Sequence, residues 1–224
     1  LAVDFGRPIA QQTVQQIVEK SSNVGAIKLA LMMSSSTFHR HLTDFGFGQP
    51  TGVDLPGETR GILRPPGKWS GLSQAALAIG QEVGVTPLQS VTAVAAVANG
   101  GILRRPWVVA GLVAEDGTVS RSVRSADPGR RILSPGTASA LTAMLEKVVT
   151  DGTGKAAAVP GYPVAGKTGT AQKIDESGRY SKGKYVASFV GFVPARDPAL
   201  AIIVVVDEPH DGYHGGEVAA GVAH

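Results

Sequence analysis

The segment PARDPA, residues 194–199, constrains the fold more than any other feature of this sequence. It separates two apolar stretches rich in β-branched residues, 185–193 and 200–206, and a third such stretch covers residues 164–172. Parallel neighbours in a sheet need a crossover of about a dozen residues or more, which this connection is too short to provide. We therefore expect three antiparallel strands in the last third of the chain.

Three helices are predicted before residue 47. Apolar residues at positions 14, 17 and 18 indicate a short helix over 13–20, and Val24, Ile27 and Leu31 share one face of a second helix. Ser34 offers a cap for a third helix, which Gly46 ends.

Two further helices are predicted from their caps. Thr86, Pro87 and Gln89 form an N-terminal capping box, and the helix that follows has Val and Ala nearly all round, so it should be buried. Ser134 and Pro135 begin an amphipathic helix with an apolar stripe, which is expected to pack on the sheet. Together these elements predict the α+β class, with an antiparallel β-sheet packed between helices.

Two other segments should lack helices. Residues 47–69 are dense in Gly and Pro and should form a long irregular surface connection. Residues 107–114 and 118–122 should form a small hairpin around Asp116 and Gly117.

The composition excludes several classes of protein. The 21 basic and 18 acidic residues give a net charge of only +3, and the basic residues are scattered, which is not typical of a nucleic-acid-binding surface. There is no cysteine, hence no disulfide scaffold and no thiol nucleophile. No apolar run approaches the roughly 20 residues needed to cross a bilayer.

The stretch GYPVAGKTGTAQK, residues 161–173, has two incompatible interpretations. It satisfies the pattern of a phosphate-binding loop, G-x-x-x-x-G-K-[ST], and the apolar run ending at Asp207 resembles a strand that holds magnesium in nucleotide-binding proteins. However, a phosphate loop must open a helix, and a polar, turn-rich sequence follows Thr168. Pro163 also lacks the backbone N–H that such a loop needs.

The second interpretation makes Lys167–Thr170 the edge of a strand that holds an extended peptide. Gly169 would let the peptide backbone approach closely. Lys167 would provide a positive charge, and Thr170 a hydroxyl and an N–H for a developing oxyanion. Ser21 and Asn23 form a Ser-x-Asn pair before a helix, suited to relaying a proton and gripping an amide. Taken alone, however, Ser21 is better explained as a helix cap, Asn23 as a turn residue and Lys167 as a solvated strand lysine.

A metal site is not favoured. His210, His214, Glu208 and Glu217 lie close in sequence, but the glycines between them give no fixed ligand geometry. The run 173–184 is read as a solvated loop, and the Ser181-x-x-Lys184 pattern within it as coincidental.

Several blocks resemble, in order and with plausible spacing, the transpeptidase domain of class B penicillin-binding proteins, most closely the division-specific penicillin-binding protein 3. They are SSNVGAIKLAL, DFGFGQPTGVDLPGE, IGQEVGVTPLQ, ANGG, DGTGKAAAVPGYPVAGKTGTAQK, YVASFVGFVPA and GYHGGEVAA. The resemblance implies a D,D-transpeptidase that cross-links peptidoglycan stem peptides through an acyl-serine intermediate and is inhibited by β-lactams.

The resemblance also implies the site residues. Ser21, Asn23 and Lys167 would be catalytic, whereas Thr168, Gly169 and Thr170 would bind substrate, and no metal or cofactor is implied. The family's Ser-x-x-Lys motif, which supplies the nucleophile, is not among these 224 residues. Residues 1–224 are therefore expected to be the C-terminal portion of a transpeptidase domain.

The expected partners follow from the same resemblance. They are the D-Ala-D-Ala stem peptide, β-lactams, the N-terminal remainder of the protein and membrane proteins of the division machinery, with no nucleic acid. The expected location is the periplasmic face of the bacterial cytoplasmic membrane, the membrane anchor lying outside this chain. The alternatives are a non-catalytic peptide-binding or division-machinery interaction module and a phosphate-loop nucleotide-binding protein.

Overall fold

A three-stranded antiparallel sheet organises the protein, and its strands come from the last third of the chain. The computed structural model describes residues 11–121, 128–175, 177–210 and 212–223. The sheet has the order β5-β6-β7, with β5 over Ala165–Ile174, β6 over Tyr180–Val193 and β7 over Leu200–Asp207. Every neighbouring pair is antiparallel, as the short 194–199 connection predicts.

Seven α-helices occur in the described residues. The three predicted before residue 47 are confirmed, as are those after Thr86 and Ser134, whose caps hold the first turns as predicted. The helices are α1 (Val14–Glu19), α2 (Asn23–Leu31), α3 (Ser35–Asp44), α4 (Ser73–Ala78), α5 (Pro87–Ala98), α6 (Pro135–Thr150) and α7 (Gly215–Val218).

The sheet has helices on both sides, which confirms the predicted fold class. Phe189 and Phe192 are buried on β6 and point to opposite faces, because they lie three positions apart in a strand. Phe189 packs with Val149 of α6 and with Ala219 and Ala220 after α7. Phe192 packs with Val97 of α5 and with Ala165.

Small strands and irregular segments complete the fold. Strands β1 (Ile102–Leu103) and β4 (Arg130–Arg131) pair with each other, and β2 (Gly111–Val113) pairs with β3 (Val119–Arg121). The second pair is the predicted hairpin, but it is shorter than expected, and Ser122 lies outside the described residues. Segment 47–69 is irregular as predicted, apart from a short 3-10 turn at Pro66–Lys68.

Four sequence-based expectations need correction. Residues 173–184 were read as a loop, but β5 and β6 extend into this run and pair Ile174 with Tyr180, so Ser181 and Lys184 lie in a strand. The glycines at 212, 215 and 216 were expected to make a loop, but Gly215 and Gly216 begin helix α7. Helix α4 and the β1–β4 pair were not predicted, because both are short and lack caps or periodicity that stand out in the sequence.

Candidate active site at the edge of strand β5

Strand β5 carries Lys167, Thr168, Gly169 and Thr170, and within the described part of the chain it pairs only with β6. Its other edge is the one predicted to hold a peptide. Thr168 lies inside the strand, which continues in extended conformation to Ile174. A phosphate-binding loop requires a helix that starts at this threonine, so the nucleotide-binding interpretation is wrong.

The Lys167 side chain connects the strand to the Ser-x-Asn corner. Its Nζ donates hydrogen bonds to the Ser21 hydroxyl at 2.7 Å and to the Thr168 carbonyl at 3.0 Å. Ser21 and Lys167 are 146 residues apart in the sequence. The structure therefore brings together the lysine and the serine that the sequence analysis selected.

Ser21 lies in a turn that normally holds glycine. It follows the C-cap of α1, and its backbone is left-handed, with φ of 55°. The Ser22 N–H donates to the Ile17 carbonyl at 3.0 Å and the Ser21 N–H to the Val18 carbonyl at 3.3 Å, as in a Schellman motif. A left-handed serine costs about 1–2 kcal/mol relative to ordinary backbone conformations. The surrounding structure keeps the hydroxyl in this position despite that cost.

Helix α2 begins directly after this turn. Ser22, and not Ser21, is its N-cap, since the Ser22 hydroxyl accepts the Gly25 N–H at 3.0 Å. Asn23 is therefore the first residue of α2, one position from the cap. Gly25 lets the two helices approach, because a Cβ there would lie 2.6 Å from the Ile17 side chain.

Burial lowers the pKa of Lys167 to about 8, from the ordinary value of 10.5. At neutral pH the side chain is still mainly an ammonium, which donates to Ser21. Near pH 8, however, the protonated and neutral forms are equally populated. The amine can therefore donate or accept a proton in the physiological range, which an ordinary surface lysine cannot do.

The two threonines of β5 point to the face opposite Lys167, because side chains alternate along a strand. The Thr168 hydroxyl bonds to the Thr153 hydroxyl at 2.7 Å, and the Thr170 hydroxyl accepts the Gly215 N–H at 3.0 Å. Gly215 begins α7 and lies directly on the backbone of Gly169, where a Cβ would overlap the Gly169 carbonyl. The first turn of α7 thus supports the strand from this side.

Residues 151–153 connect the Ser21 corner to β5, and the sequence analysis assigned them no role. The Lys20 ammonium donates to the Asp151 carbonyl at 2.9 Å, and the Thr153 N–H approaches the Glu19 carbonyl at 3.4 Å. A Cβ on Gly152 would overlap the Glu19 carbonyl oxygen. The only sequence signal for these contacts was their place in the DGTG block of the family resemblance.

Other possible sites lie elsewhere or are absent from the described residues. A cavity of about 300 Å³ lies between α3, the start of α5 and the arginines at 104, 105 and 130, and none of the six predicted site residues lines it. Residues 11–121, 128–175, 177–210 and 212–223 contain no group of three or more acidic or histidine side chains that could hold a metal ion. In the same ranges, no helix combines the length and apolar character needed to cross a bilayer.

Comparison with known proteins identifies the family. The model of the penicillin-binding protein transpeptidase domain matches residues 4–224, so the chain belongs to this family. Its similarity to division and sporulation proteins places it among the class B penicillin-binding proteins that resemble penicillin-binding protein 3. The resemblance noted in the sequence is confirmed.

Three similar proteins illustrate the match. Stage V sporulation protein D of Bacillus subtilis is 41% identical over 93% of this chain and 32% of its own length. The peptidoglycan D,D-transpeptidase FtsI of Escherichia coli is 35% identical over 95% of this chain and 34% of its own. The crystal structure of penicillin-binding protein 3 from Mycobacterium tuberculosis, complexed with aztreonam, has a TM-score of 0.86 and 37% identity over 95% of this chain and 49% of that one. The chain thus spans about a third of these two curated relatives.

Proposed function

We propose that this chain forms part of the active site of a peptidoglycan D,D-transpeptidase that cross-links stem peptides through an acyl-serine intermediate. The observation that supports this most directly is the 2.7 Å hydrogen bond between the Lys167 ammonium and the Ser21 hydroxyl beside the free edge of β5. It joins an amine with a lowered pKa to a hydroxyl that can pass a proton on. Acyl transfer to and from an amine needs such a proton path.

In the first half-reaction, a serine hydroxyl attacks the carbonyl of the penultimate D-Ala, and the terminal D-Ala leaves as an amine. The proton of the attacking hydroxyl passes to the lysine of the Ser-x-x-Lys motif, and it returns to the serine oxygen when the ester is cleaved. The leaving nitrogen must gain a proton as its bond to carbon breaks. Ser21 supplies it from its hydroxyl and takes a proton from Lys167 in turn. In the second half-reaction the acceptor amine attacks the ester and loses a proton, which returns along the same path.

The strand edge holds the donor peptide. Every second residue of an edge strand offers an N–H and a C=O to an added strand, and Gly169 leaves this backbone unobstructed. The Lys167 ammonium attracts the terminal carboxylate of D-Ala-D-Ala or the corresponding β-lactam carboxylate. The Thr170 hydroxyl accepts the Gly215 N–H on the other face of the strand, and it keeps its own proton to donate to a substrate oxygen at the strand edge. Asn23 grips a substrate amide from the start of α2.

The nucleophile comes from outside these 224 residues, on a segment that carries Ser-x-x-Lys, and residues 1–224 form the C-terminal portion of the transpeptidase domain. We place the enzyme in septal wall synthesis, together with membrane proteins of the division machinery. Its site of action is the periplasmic face of the cytoplasmic membrane. The similarity to FtsI, named a peptidoglycan D,D-transpeptidase, supports this assignment.

The test is covalent labelling by a fluorescent penicillin, in the complete protein that carries this chain. The wild-type protein should be labelled stably, and Lys167→Met should be labelled at least about 100-fold more slowly, since proton transfer contributes about that much. Lys173→Met is the matched control. Lys173 lies on the same strand but pairs with Asp207 and Glu208, so its loss should leave labelling unchanged.

The pH dependence of labelling sharpens the test. If the ammonium form of Lys167 donates the proton and binds the carboxylate, the rate should fall as the pH rises through about 8. Lys167→Arg keeps its charge in this range, so whatever activity remains should not show that fall. A wild-type protein that binds penicillin but is never labelled would instead indicate the non-catalytic binding module, and rapid release of the label would indicate hydrolysis.

A further inference from the structure

The loop 151–153 holds both ends of the Lys167–Ser21 hydrogen bond. On one side it contacts the last turn of α1, which leads directly into Ser21. On the other side it contacts Thr168, the residue after Lys167. Covalent neighbours and contacts therefore form a closed ring, which runs from Ser21 through the end of α1, the loop, Thr168 and Lys167 back to Ser21.

The α1 side of the ring has three contacts. The Lys20 ammonium donates to the Asp151 carbonyl at 2.9 Å, and the Thr153 N–H lies 3.4 Å from the Glu19 carbonyl. Gly152 packs so closely on Glu19 that it has no room for a side chain. These contacts fix the residues immediately before Ser21 and hence the position of its hydroxyl.

On the β5 side of the ring, the hydroxyls of Thr153 and Thr168 form a 2.7 Å hydrogen bond, and no other hydrogen bond among the described residues joins the loop to Thr168. Thr168 and Lys167 are neighbours whose side chains leave β5 on opposite faces. A shift of Thr168 along or away from the strand therefore moves the base of the Lys167 side chain. Thr153 reaches both sides of the ring, with its N–H toward Glu19 and its hydroxyl toward Thr168.

We propose that Thr153 is a positioning residue for the transpeptidation reaction, which sets the Lys167–Ser21 distance by binding Thr168 on one side and the end of α1 on the other. This rests on the proposed function. The hydroxyl pair is exposed to solvent, so water can replace either partner and the bond adds little to folding stability. Its contribution is geometric, because a displacement of about 1 Å at a catalytic group can slow a reaction about 100-fold.

The test variant is Thr153→Val, which removes the hydroxyl and keeps the shape of the side chain. Thr150→Val is the matched control, because among the described residues the Thr150 hydroxyl bonds to the neighbouring Asp151 carboxylate at 2.8 Å and not to β5. Thr153→Ser restores the hydroxyl and should rescue the protein. All three are compared with wild type in the complete protein.

Two quantities are measured. The first is the rate of covalent labelling by a fluorescent penicillin, which should fall about 10- to 100-fold in Thr153→Val and stay within about 2-fold in the other two variants. The second is the pH profile of Lys167 modification by an amine-reactive reagent, followed by mass spectrometry of its peptide. In Thr153→Val this profile should move toward the ordinary lysine range, since a loosened strand admits water to the ammonium.

The outcomes separate this proposal from the proposed function. If wild type is labelled and Thr153→Val is labelled equally fast, Thr153 does not position the site and the proposal is overturned. A loss of thermal stability with labelling and Lys167 profile unchanged would also overturn it, because a merely structural residue behaves in that way. If wild type is never labelled, the transpeptidase assignment fails, and the Lys167 profile alone then decides whether Thr153 sets the geometry of the pair.

Discussion

Helices α1 and α5 begin with the same capping box but depend on it very differently. In α1, the Thr13 hydroxyl accepts the Gln16 N–H and the Gln16 side chain accepts the Thr13 N–H. In α5, Thr86 and Gln89 make the same two bonds. Gln16 is exposed, whereas Gln89 is only 1% exposed. The same local motif therefore lies in two unlike environments.

The difference lies in what else the glutamine binds. The Gln89 Nε2 also donates to the backbone carbonyls of Gln49 and Arg60, at 2.8 and 2.9 Å. These two carbonyls belong to the long irregular segment 47–69, so one buried amide holds a helix start and a distant connection together. Within the described residues, the Gln16 side chain bonds only to Thr13. Helix α1 is fixed instead at its other end, where Glu19 and Lys20 meet loop 151–153. The capping box satisfies backbone groups at the start of the helix in both cases. In α5 the glutamine of the box also binds segment 47–69.

The largest expected effect is that of Gln89→Leu, which should lower the free energy of unfolding by about 3–5 kcal/mol. The substitution leaves two part-buried carbonyls and the part-buried Thr86 N–H without their partner. Each such group costs about 1–3 kcal/mol when water does not replace the partner. Chemical denaturation measures the change. Gln16→Leu serves as the control and should cost less than about 1 kcal/mol, because water replaces its bonds. Equal costs for the two substitutions would show that burial does not distinguish the two boxes.

A smaller effect is expected at the other anchor of α1. Gly152→Ala should lower the free energy of unfolding by about 2–3 kcal/mol, because its Cβ would overlap the Glu19 carbonyl and crowd Val148. It should also slow penicillin labelling, since the end of α1 carries Ser21. Gly136→Ala in the first turn of α6 is the control, as a Cβ there meets nothing within 4 Å, and it should leave the protein unchanged or slightly more stable. If Gly152→Ala were as stable as the control, α1 would not be held at this end.

The smallest effect concerns the turn that follows α1. Ser21→Gly should be more stable than Ser21→Ala by about 1 kcal/mol, because the backbone at this position has φ of 55° and glycine adopts it without strain. Both variants lose the hydroxyl, so their difference isolates the backbone term, and thermal or chemical denaturation measures it. Both should also be labelled slowly by penicillin. A Ser21→Ala variant at least as stable as Ser21→Gly would mean that the turn relaxes and is not imposed by its surroundings.

The two capping boxes also mark how far sequence can predict this fold. Thr86, Pro87 and Gln89 predict the start of α5 correctly, because a capping box is a local pattern. The bonds from Gln89 to Gln49 and Arg60 join residues 40 and 29 positions away, and no spacing rule indicates them. The antiparallel sheet was predictable for the opposite reason, since a six-residue connection permits few arrangements.

The hairpin between β5 and β6 shows where composition misleads. Polar residues and glycine in 173–184 were typical of a solvated loop. In the structure the Tyr180 hydroxyl accepts the Glu82 N–H at 3.2 Å, and Lys173 pairs with Asp207 and Glu208. Cross-strand ion pairs and one long-range contact extend the strands where apolar patterning is absent.

The candidate site was predictable to the extent that it follows family motifs. Ser21 and Lys167 meet as the resemblance implied, but their catalytic roles, and the roles of Asn23, Thr168, Gly169 and Thr170, stay predictions. Thr153 and Gly215 could not be selected from sequence, because a threonine in a loop and a glycine at the start of a short helix have many ordinary explanations. Only the distances to Thr168 and Thr170 give these residues their importance.

Strand β5 is ten residues long, which corresponds to an edge of about 33 Å. That length exceeds what a terminal dipeptide can cover, so an inhibitor built as an extended peptide mimic has room to add several main-chain hydrogen bonds beyond its reactive end. Amide groups of the main chain persist whatever side chain a codon change introduces. Inhibitor affinity gained along this strand edge would therefore be harder to lose through single substitutions in the protein than affinity gained from individual side chains.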